Sequence, residues 1–272
     1  MKILIAINSL EQSQKILTFS SQIVKNAGEP PAIMHVTKKK TKMKKNRKKD
    51  ISEIADKILD VPDIKISIKA GHAAREITKE IKQGNYELLI MDDVPVNYTH
   101  FYQRKRTSSL IKRVTCPVII VKGGYRPIRR ILLCDSGAGR SSVLTGFTAQ
   151  LASMLEGHEE VTVLHVMSQI SAGPGVSGEQ LRASADELLE AHTPEGELLE
   201  KDIQILERPG VHPKPLVAHG LVLDEILLET RKGDYDLVVI GNQIEQTWRR
   251  FLLEDLARKI LEKTDRPVLV VK

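Results

Sequence analysis

The sequence predicts an α/β fold of two tandem doubly wound domains, each built on a five-stranded parallel sheet of the Rossmann-like type. Short runs of Val, Ile and Leu alternate with helical stretches along the whole chain. These runs are almost continuously apolar, which is typical of strands covered by helices on both faces. The second half of the chain repeats the order of the first, and 272 residues suit about two domains.

The repeat is clearest towards the end of each copy. Gly84–Ile90 matches Gly233–Val239, and Thr115–Lys122 matches Asp265–Lys272. A period this long indicates duplicated domains, because solenoid repeats are far shorter. We therefore expect domain 1 over residues 1–123 and domain 2 over residues 128–272, with a linker of glycine and proline between them.

Apolar runs define the strands of domain 1, and helical stretches separate them. The predicted strands are Lys2–Ile7, Ala32–Val36, Ile64–Lys69, Leu88–Met91 and Val118–Val121. The predicted helices are Glu11–Asn26, Ile51–Leu59, Ala73–Gln83 and Thr107–Val114.

Domain 2 follows the same order with extra residues in its middle. Its predicted strands are Ile131–Cys134, Val161–Val166, Leu216–Ala218, Leu237–Ile240 and Val268–Val271. Its predicted helices are Ser141–Leu155, Gly178–Ala191, Leu223–Lys232 and Leu252–Lys263. Ile203–Leu206 is a further candidate strand, so the identity of the third strand stays open.

The composition is that of an ordinary globular protein, with 41% hydrophobic and 28% charged residues, which excludes disordered and collagen-like classes. No stretch approaches the roughly 20 apolar residues of a membrane helix, and Ile3–Ile7 is too short for a signal-peptide core. We expect a cytoplasmic protein without a membrane span. Cys116 and Cys134 form no CxxC pair, and we interpret them as structural thiols in a reducing compartment.

A ligand of such a sheet is expected where strand order reverses, at the carboxyl ends of the first and fourth strands. After the first strand of domain 2 comes a glycine-containing turn, Asp135–Ser142, whose backbone amides and following helix favour an anion. No Walker sequence occurs in the chain, so this signal is weak. The alternative is a plain strand-to-helix turn in which Ser141 caps the helix.

The whole pattern resembles the universal stress protein family in its tandem form. The resemblance rests on the opening strand Lys2–Ile7 with Asn8-Ser9, on Leu164-His165-Val166, on Asp236–Gly241 and on the two closing strands. It implies that the domains pack as a pseudo-dimer, an intramolecular pairing through Val118–Val121 and Val268–Val271. Whether the tandem chain also forms a homodimer stays open.

Nucleotide-binding members of that family carry an aspartate after strand one and a motif Gly-x2-Gly-x9-Gly-Ser/Thr after strand four. In domain 2, Asp135 matches the aspartate and Gly241 the first glycine, whereas Ile244 and Glu254-Asp255 replace the rest. The resemblance therefore implies at most weak binding of an adenine nucleotide (ATP, ADP or AMP) in domain 2. The candidate contacts are Asp135, Ser136, Val166 and Gly241.

Domain 1 has lost this motif. Asn8 takes the place of the aspartate, Asp92 and Pro95 replace the two glycines, and Arg104-Lys105 replaces the Gly-Ser pair. We expect no ATP site there, although Arg104, Lys105 and Arg106 could attract an anion.

Catalytic and metal motifs are absent from the sequence: it has no HExxH, no GxSxG and no histidine pair at metal-ligand spacing. The turn after Asp135 resembles the loop of ATP pyrophosphatases but lacks its aspartate. His35 and His165 occupy repeat-related positions and favour a structural role. His72 and His219 follow the third strands, where a ligand contact or plain exposure to water are both open. We expect no catalytic residue and no metal.

The net charge of +6 hides a basic run in domain 1. Residues 38–49 hold nine basic side chains in twelve positions, within a connection over residues 37–50. Repulsion at this density predicts a mobile surface loop. It could bind a polyanion, such as nucleic acid or an acidic partner, through salt-sensitive contacts that do not read sequence.

We expect a stress-linked binding or regulatory protein without a catalytic cycle. Two alternatives are a polyanion-interaction protein that uses Lys38–Lys49 and an ATP-binding protein with slow hydrolysis.

Overall fold

The computed structural model describes residues 1–37, 44–93, 109–135, 141–155, 157, 159–167, 183–241 and 250–272. The chain divides into two compact units, unit 1 from Met1 to Pro127 and unit 2 from Ile128 to Lys272. Each unit carries a five-stranded, all-parallel sheet with helices between the strands. The predicted α/β fold class is confirmed.

Unit 1 has the strand order β3-β2-β1-β4-β5. Its strands are β1 (Ile3–Ile7), β2 (Ala32–Thr37), β3 (Lys65–Ala70), β4 (Leu88–Asp92) and β5 (Val118–Val121). Its helices are α1 (Leu10–Val24), α2 (Lys44–Leu59), α3 (Ala73–Gly84) and α4, of which residues 109–113 are described.

Unit 2 has the strand order β10-β9-β6-β7-β8. Its strands are β6 (Arg130–Asp135), β7 (Glu159–Met167), β8 (Val211–His219), β9 (Leu237–Gly241) and β10 (Val268–Val271). Its helices are α5 (Ser141–Ala152), α6 (Ala185–Glu190), α7 (Pro194–Leu206), α8 (Val222–Lys232) and α9 (Arg250–Lys263).

The central strands carry the core of each unit. All five residues of β1 and of β4 are buried, and in unit 2 Ile131, Leu132 and Leu133 of β6 are 0% exposed. Burial of this kind contributes about 25 cal/mol per Å² of apolar surface. The carboxyl ends of these strands, where a ligand is expected, are therefore held by the apolar core of each unit.

Two helices, α6 and α7, precede the third strand of the second copy, where the sequence offered a candidate strand. Ile203–Leu206 is the last turn of α7, so the strand interpretation of that segment is wrong. Ser184 caps α6 in a capping box with Glu187, and Thr193 caps α7 ahead of Pro194. The third strand is β8, which is longer than the predicted Leu216–Ala218.

The two halves share local details at their repeat-related turns. Gly71 and Gly220 have φ angles of +151° and +153°, and a glutamate side chain, Glu76 or Glu225, lies against each glycine. Lys2 lies over the ring of Tyr86 at 5.3 Å, and Arg130 lies over the ring of Tyr235 at 5.5 Å. These shared contacts show that the sequence repeat is also a repeat of structure.

Candidate functional site

The strand order of unit 2 reverses at β6, which lies between β9 on one side and β7 on the other. Cys134 pairs with Ile240, so the next residues, Asp135 and Gly241, end neighbouring strands at the point where the strand order reverses. Asp135 is buried, and Gly241 is partly exposed. Val166 is buried near the end of β7. Of the four predicted contacts, these three lie at one edge of the sheet, while Ser136 is outside the described residues.

Unit 1 places a carboxyl group at the corresponding point. Asn8, directly after β1, donates its Nδ2–H to Oδ1 of Asp92 at the end of β4, at 2.7 Å. Asp92 is 1% exposed, and its Oδ2 accepts no hydrogen bond from the described residues. A buried acceptor without a donor costs about 1–3 kcal/mol.

Burial is the largest influence on the Asp92 carboxyl and raises its pKa to about 7. Asp93 raises that pKa further, while Lys15 and the Asn8 amide act in the opposite direction. Near neutral pH the Asp92 side chain is therefore divided between its neutral and charged forms. A phosphate group would meet partial negative charge here, whereas unit 2 offers the backbone of Gly241.

The pairing register corrects one equivalence between the halves. Ile7 pairs with His35 and Asp135 pairs with His165, so Ile7, and not Asn8, occupies the strand position of Asp135. Asn8 then corresponds to Ser136. The alignment of Asn8 with Asp135 was wrong by one residue because similar side chains were matched across a turn. By the same register Met91 corresponds to Ile240, so Asp92 is the repeat-related counterpart of Gly241.

The structure describes no side chain at the remaining positions of the nucleotide-binding motif. Ile244, Pro95, Arg104, Lys105 and Arg106 lie outside the described residues. Glu254 and Asp255 belong to α9.

The two repeat-related histidines differ in their charged neighbours: His35 lies near a cation, and His165 lies near two carboxyl groups. Nδ1 of His35 lies 2.8 Å from the carbonyl oxygen of Ile7, and its Nε2 lies 3.2 Å from Nη1 of Arg47. Burial and Arg47 lower the pKa of His35, and the Ile7 carbonyl opposes them. Burial also lowers the pKa of His165, but there Glu195 and Asp202 act against it.

His72 lies between β3 and α3, and His219 is the last residue of β8. His72 precedes α3 and makes no side-chain cap hydrogen bond. His219 is exposed at the end of β8, and its Nε2 lies 2.9 Å from the carbonyl oxygen of Ala183.

The basic run is not a loop throughout. Residues 44–49 form the first turns of α2, which corrects the prediction of a mobile loop over 38–49, and residues 38–43 lie outside the described part of the chain. Lys48 and Lys49 are exposed, while Arg47 turns inwards to His35. The sequence does not indicate this part of the helix because its many cations leave few apolar residues to form a helical pattern. They do not prevent helical geometry.

Two polar contacts between separate segments of the chain have no signature in the sequence. Thr145 Oγ1 donates to Oδ1 of Asp202 at 2.7 Å between α5 and α7, and both residues are almost fully buried. Arg47 and His35 form the other contact, twelve positions apart. No short motif joins such residues. For Asp92 a signal existed, since an aspartate directly follows an apolar strand.

Within the described ranges, no group of three or more His, Cys, Asp or Glu side chains could hold a metal ion. Among the same residues, no helix combines the length and the apolar character needed to cross a membrane.

Comparison with known proteins gives a family. The model described as "Universal stress protein family" matches residues 127–272, just over half of the chain. A universal stress protein from Archaeoglobus fulgidus DSM 4304 is 16% identical, with 100% of this chain and 96% of that chain covered at a TM-score of 0.59. A protein of unknown function from Pseudomonas aeruginosa PAO1 is 16% identical, with 100% and 92% covered at a TM-score of 0.66. At these identities the two structures support the fold alone. No curated protein sequence matches the chain.

Proposed function

The chain belongs to the universal stress protein family, and on that premise we propose that it is a stress-response binding or regulatory protein without a catalytic cycle. Its ligand is an adenine nucleotide or adenosine, bound weakly in unit 2, which corresponds to the domain expected over residues 128–272. The contacts are Asp135, Ser136, Val166 and Gly241.

One observation carries this proposal: neighbouring strands of unit 2 end in a buried carboxylate and a glycine, Asp135 and Gly241. A glycine lets the backbone N–H approach a phosphate closely. The carboxylate accepts hydrogen bonds from hydroxyl or amino groups of the ligand, and Val166 supplies an apolar contact. Unit 1 has Asp92 where unit 2 has Gly241, and we propose that it binds no nucleotide.

The acidic pair Glu254-Asp255, where the family motif has Gly-Ser, disfavours a triphosphate. Like charges a few ångströms apart repel by about 1 kcal/mol in water and by more in a cleft. We therefore expect AMP and adenosine to bind at least as well as ATP.

The test is calorimetric titration of the full chain with ATP, ADP, AMP and adenosine. Gly241→Asp copies the unit 1 residue into unit 2 and should abolish binding, while Asp135→Asn should weaken it. Asp92→Gly is the matched control in unit 1 and should leave the affinity unchanged. Absence of heat with all four ligands would remove the proposal. Phosphate release from ATP that Asp135→Asn abolishes would instead favour the slow-hydrolysis alternative.

We also propose that the edge strands Val118–Val121 and Val268–Val271 pair with each other. Each is the last, wholly apolar strand of its own sheet, and an open apolar edge invites association. If they pair, the amides of both edges should resist hydrogen exchange in the full chain. Exchange as fast as in exposed loops would contradict the pairing.

A second candidate function is polyanion binding by the basic segment 38–49. It is favoured by the position of its lysines at the start of α2, whose first turn holds no acidic residue. Cations at a helix N-terminus oppose the helix dipole, by about 0.3–1 kcal/mol each at exposed sites. A bound anion would relieve this repulsion.

The double variant Lys48→Glu/Lys49→Glu should lose salt-sensitive binding to inorganic polyphosphate. The control Lys79→Glu/Lys82→Glu makes the same charge change on exposed positions of α3 and should retain it. Equal binding by both variants, or binding that is insensitive to salt, would exclude this function.

A further inference from the structure

The hydrogen bonds of His35 fix its protonation. A carbonyl oxygen only accepts, so the 2.8 Å contact with Ile7 requires a proton on Nδ1. A guanidinium only donates, so the 3.2 Å contact with Arg47 requires a lone pair on Nε2. Both contacts are satisfied together by the neutral imidazole alone.

Arg47 connects this ring to the first turns of α2. It lies one turn before Ile51, the first of three fully buried residues on the inner face of the helix, followed by Ala55 and Leu59. These apolar residues hold the later turns on the sheet. The basic turns before them lack such a side chain in the described part, and Lys49 pairs with Glu53 of the same helix. The contact between Arg47 and His35 is therefore a polar anchor for the start of α2.

Protonation of His35 would turn its attraction to Arg47 into repulsion. A second proton on Nε2 removes the acceptor and places a positive ring against the guanidinium. The groups around the ring offer little compensation: β1 contributes the Ile7 carbonyl, β3 places Ile68 beside it, and α2 contributes Arg47. Among the described residues, Arg47 is the one charged group that acts on the pKa of His35, and it lowers it, as burial does.

The second copy provides the contrast. His165 holds the same register position, beside the last residue of the first strand of its unit. Its charged neighbours are Glu195 and Asp202, which favour a positive ring. The charged neighbours therefore disfavour a positive ring in unit 1 and favour one in unit 2, while burial lowers the pKa of both histidines.

We propose that His35 is a proton-sensitive latch: the neutral ring holds Arg47 and the basic first turns of α2 on the sheet of unit 1, and protonation releases them. The direction follows from linkage. The pKa of His35 lies below its ordinary value of 6.5, so the folded arrangement loses stability as the pH falls below that value.

The experiment is hydrogen exchange of the full chain at about pH 7.5 and about pH 5.5, on either side of the ordinary histidine pKa, with rates corrected for intrinsic pH dependence. Peptides covering residues 44–50 should exchange up to about tenfold faster at the lower pH for each unit below 6.5. Peptides from the later turns, residues 51–59, should change less.

Two variants make the test specific. His35→Gln keeps a neutral acceptor for Arg47 and should remove the pH step, and Arg47→Met, which has no N–H donor in its side chain, should give fast exchange at both pH values. His165→Gln is the matched control and should leave the step in α2 intact. Equal protection of the wild type at both pH values, or a pH step that persists in His35→Gln, would overturn the latch.

Discussion

Asn8 and Asp92 join the carboxyl ends of β1 and β4 through one hydrogen bond of 2.7 Å, in which Asp92 is buried and Asn8 is partly exposed. The repeat-related point in unit 2 has a glycine. Two copies of one fold thus present different chemistry at one position, and the consequences can be measured.

The Asp92 carboxyl should make the stability of unit 1 depend on pH. Its pKa rises from the ordinary 3.8 to about 7, so the stability it contributes is complete at low pH and is lost as the pH rises through about 7. Each pKa unit corresponds to about 1.4 kcal/mol. In urea denaturation followed by circular dichroism, Asp92→Asn should flatten this dependence and be the more stable protein above about pH 7.

The neighbouring aspartate is the control for that change. Asp93 is half exposed and pairs with Lys122 at 3.4 Å. Asp93→Asn therefore removes one charge near the surface and leaves the buried Asp92 carboxyl in place. It should keep the pH dependence, displaced to slightly lower pH because Asp93 raises the pKa of Asp92. Parallel pH profiles for wild type and Asp92→Asn would show that Asp92 does not titrate as described.

The buried hydrogen bond between Thr145 and Asp202 should stabilise the packing of α5 on α7. Thr145→Val preserves the shape but removes a donor to a buried carboxylate, and we expect a loss of about 1–3 kcal/mol. Thr148→Val is a matched change, because Thr148 is equally buried but donates to Leu144 on its own helix. Equal losses of stability from the two variants in urea denaturation would mean that the hydrogen bond to Asp202 contributes no more than one within a single helix.

Gly71 and Gly220 should both tolerate a side chain poorly. Both have a positive φ, a region that costs other residues about 1–3 kcal/mol. In each turn an added Cβ would also lie 3.2 Å from Cγ of the neighbouring glutamate, Glu76 or Glu225. Thermal melts should place Gly71→Ala and Gly220→Ala below Gly124→Ala, whose Cβ meets nothing within 4 Å. A melt of either variant near that of the wild type would contradict the turn geometry.

Both cysteines should be unreactive in the folded protein. Cys116 and Cys134 are buried and form no disulfide, and burial, helped by Asp135 and Glu229, raises the pKa of Cys134. The thiolate is the reactive form, so a thiol reagent should label neither residue until denaturant is added. Rapid labelling of the native chain would show that these sites open frequently.

The strands could be predicted because their signal is local. Val118–Val121 and Val268–Val271 have the bounds that their apolar runs indicate. β8 was predicted too short because Pro213 and Pro215 interrupt its pattern, although an edge strand tolerates proline. The segment 203–206 is apolar enough for a strand, but the capped start at Thr193 makes it the end of a helix.

The site could be predicted only in part. Asp135, Val166 and Gly241 could be placed at one edge of the sheet because parallel strands end together. The residue of unit 1 that corresponds to Asp135 could not be identified from the sequence. Strand register decides this equivalence, and an alignment across a variable turn slips by one residue. The side chains that meet Asp92, His35 and Asp202 come from distant segments, and sequence spacing carries no record of them.

The two prolines of β8 have a consequence for the behaviour of the protein at high concentration. β8 is an edge strand, and Pro213 and Pro215 lie at alternate positions opposite Val161 and Val163. Proline lacks an N–H, and in a paired edge strand the missing donors face away from the neighbour. That edge therefore offers an incomplete row of donors to any incoming chain, which protects unit 2 from aggregation by strand addition.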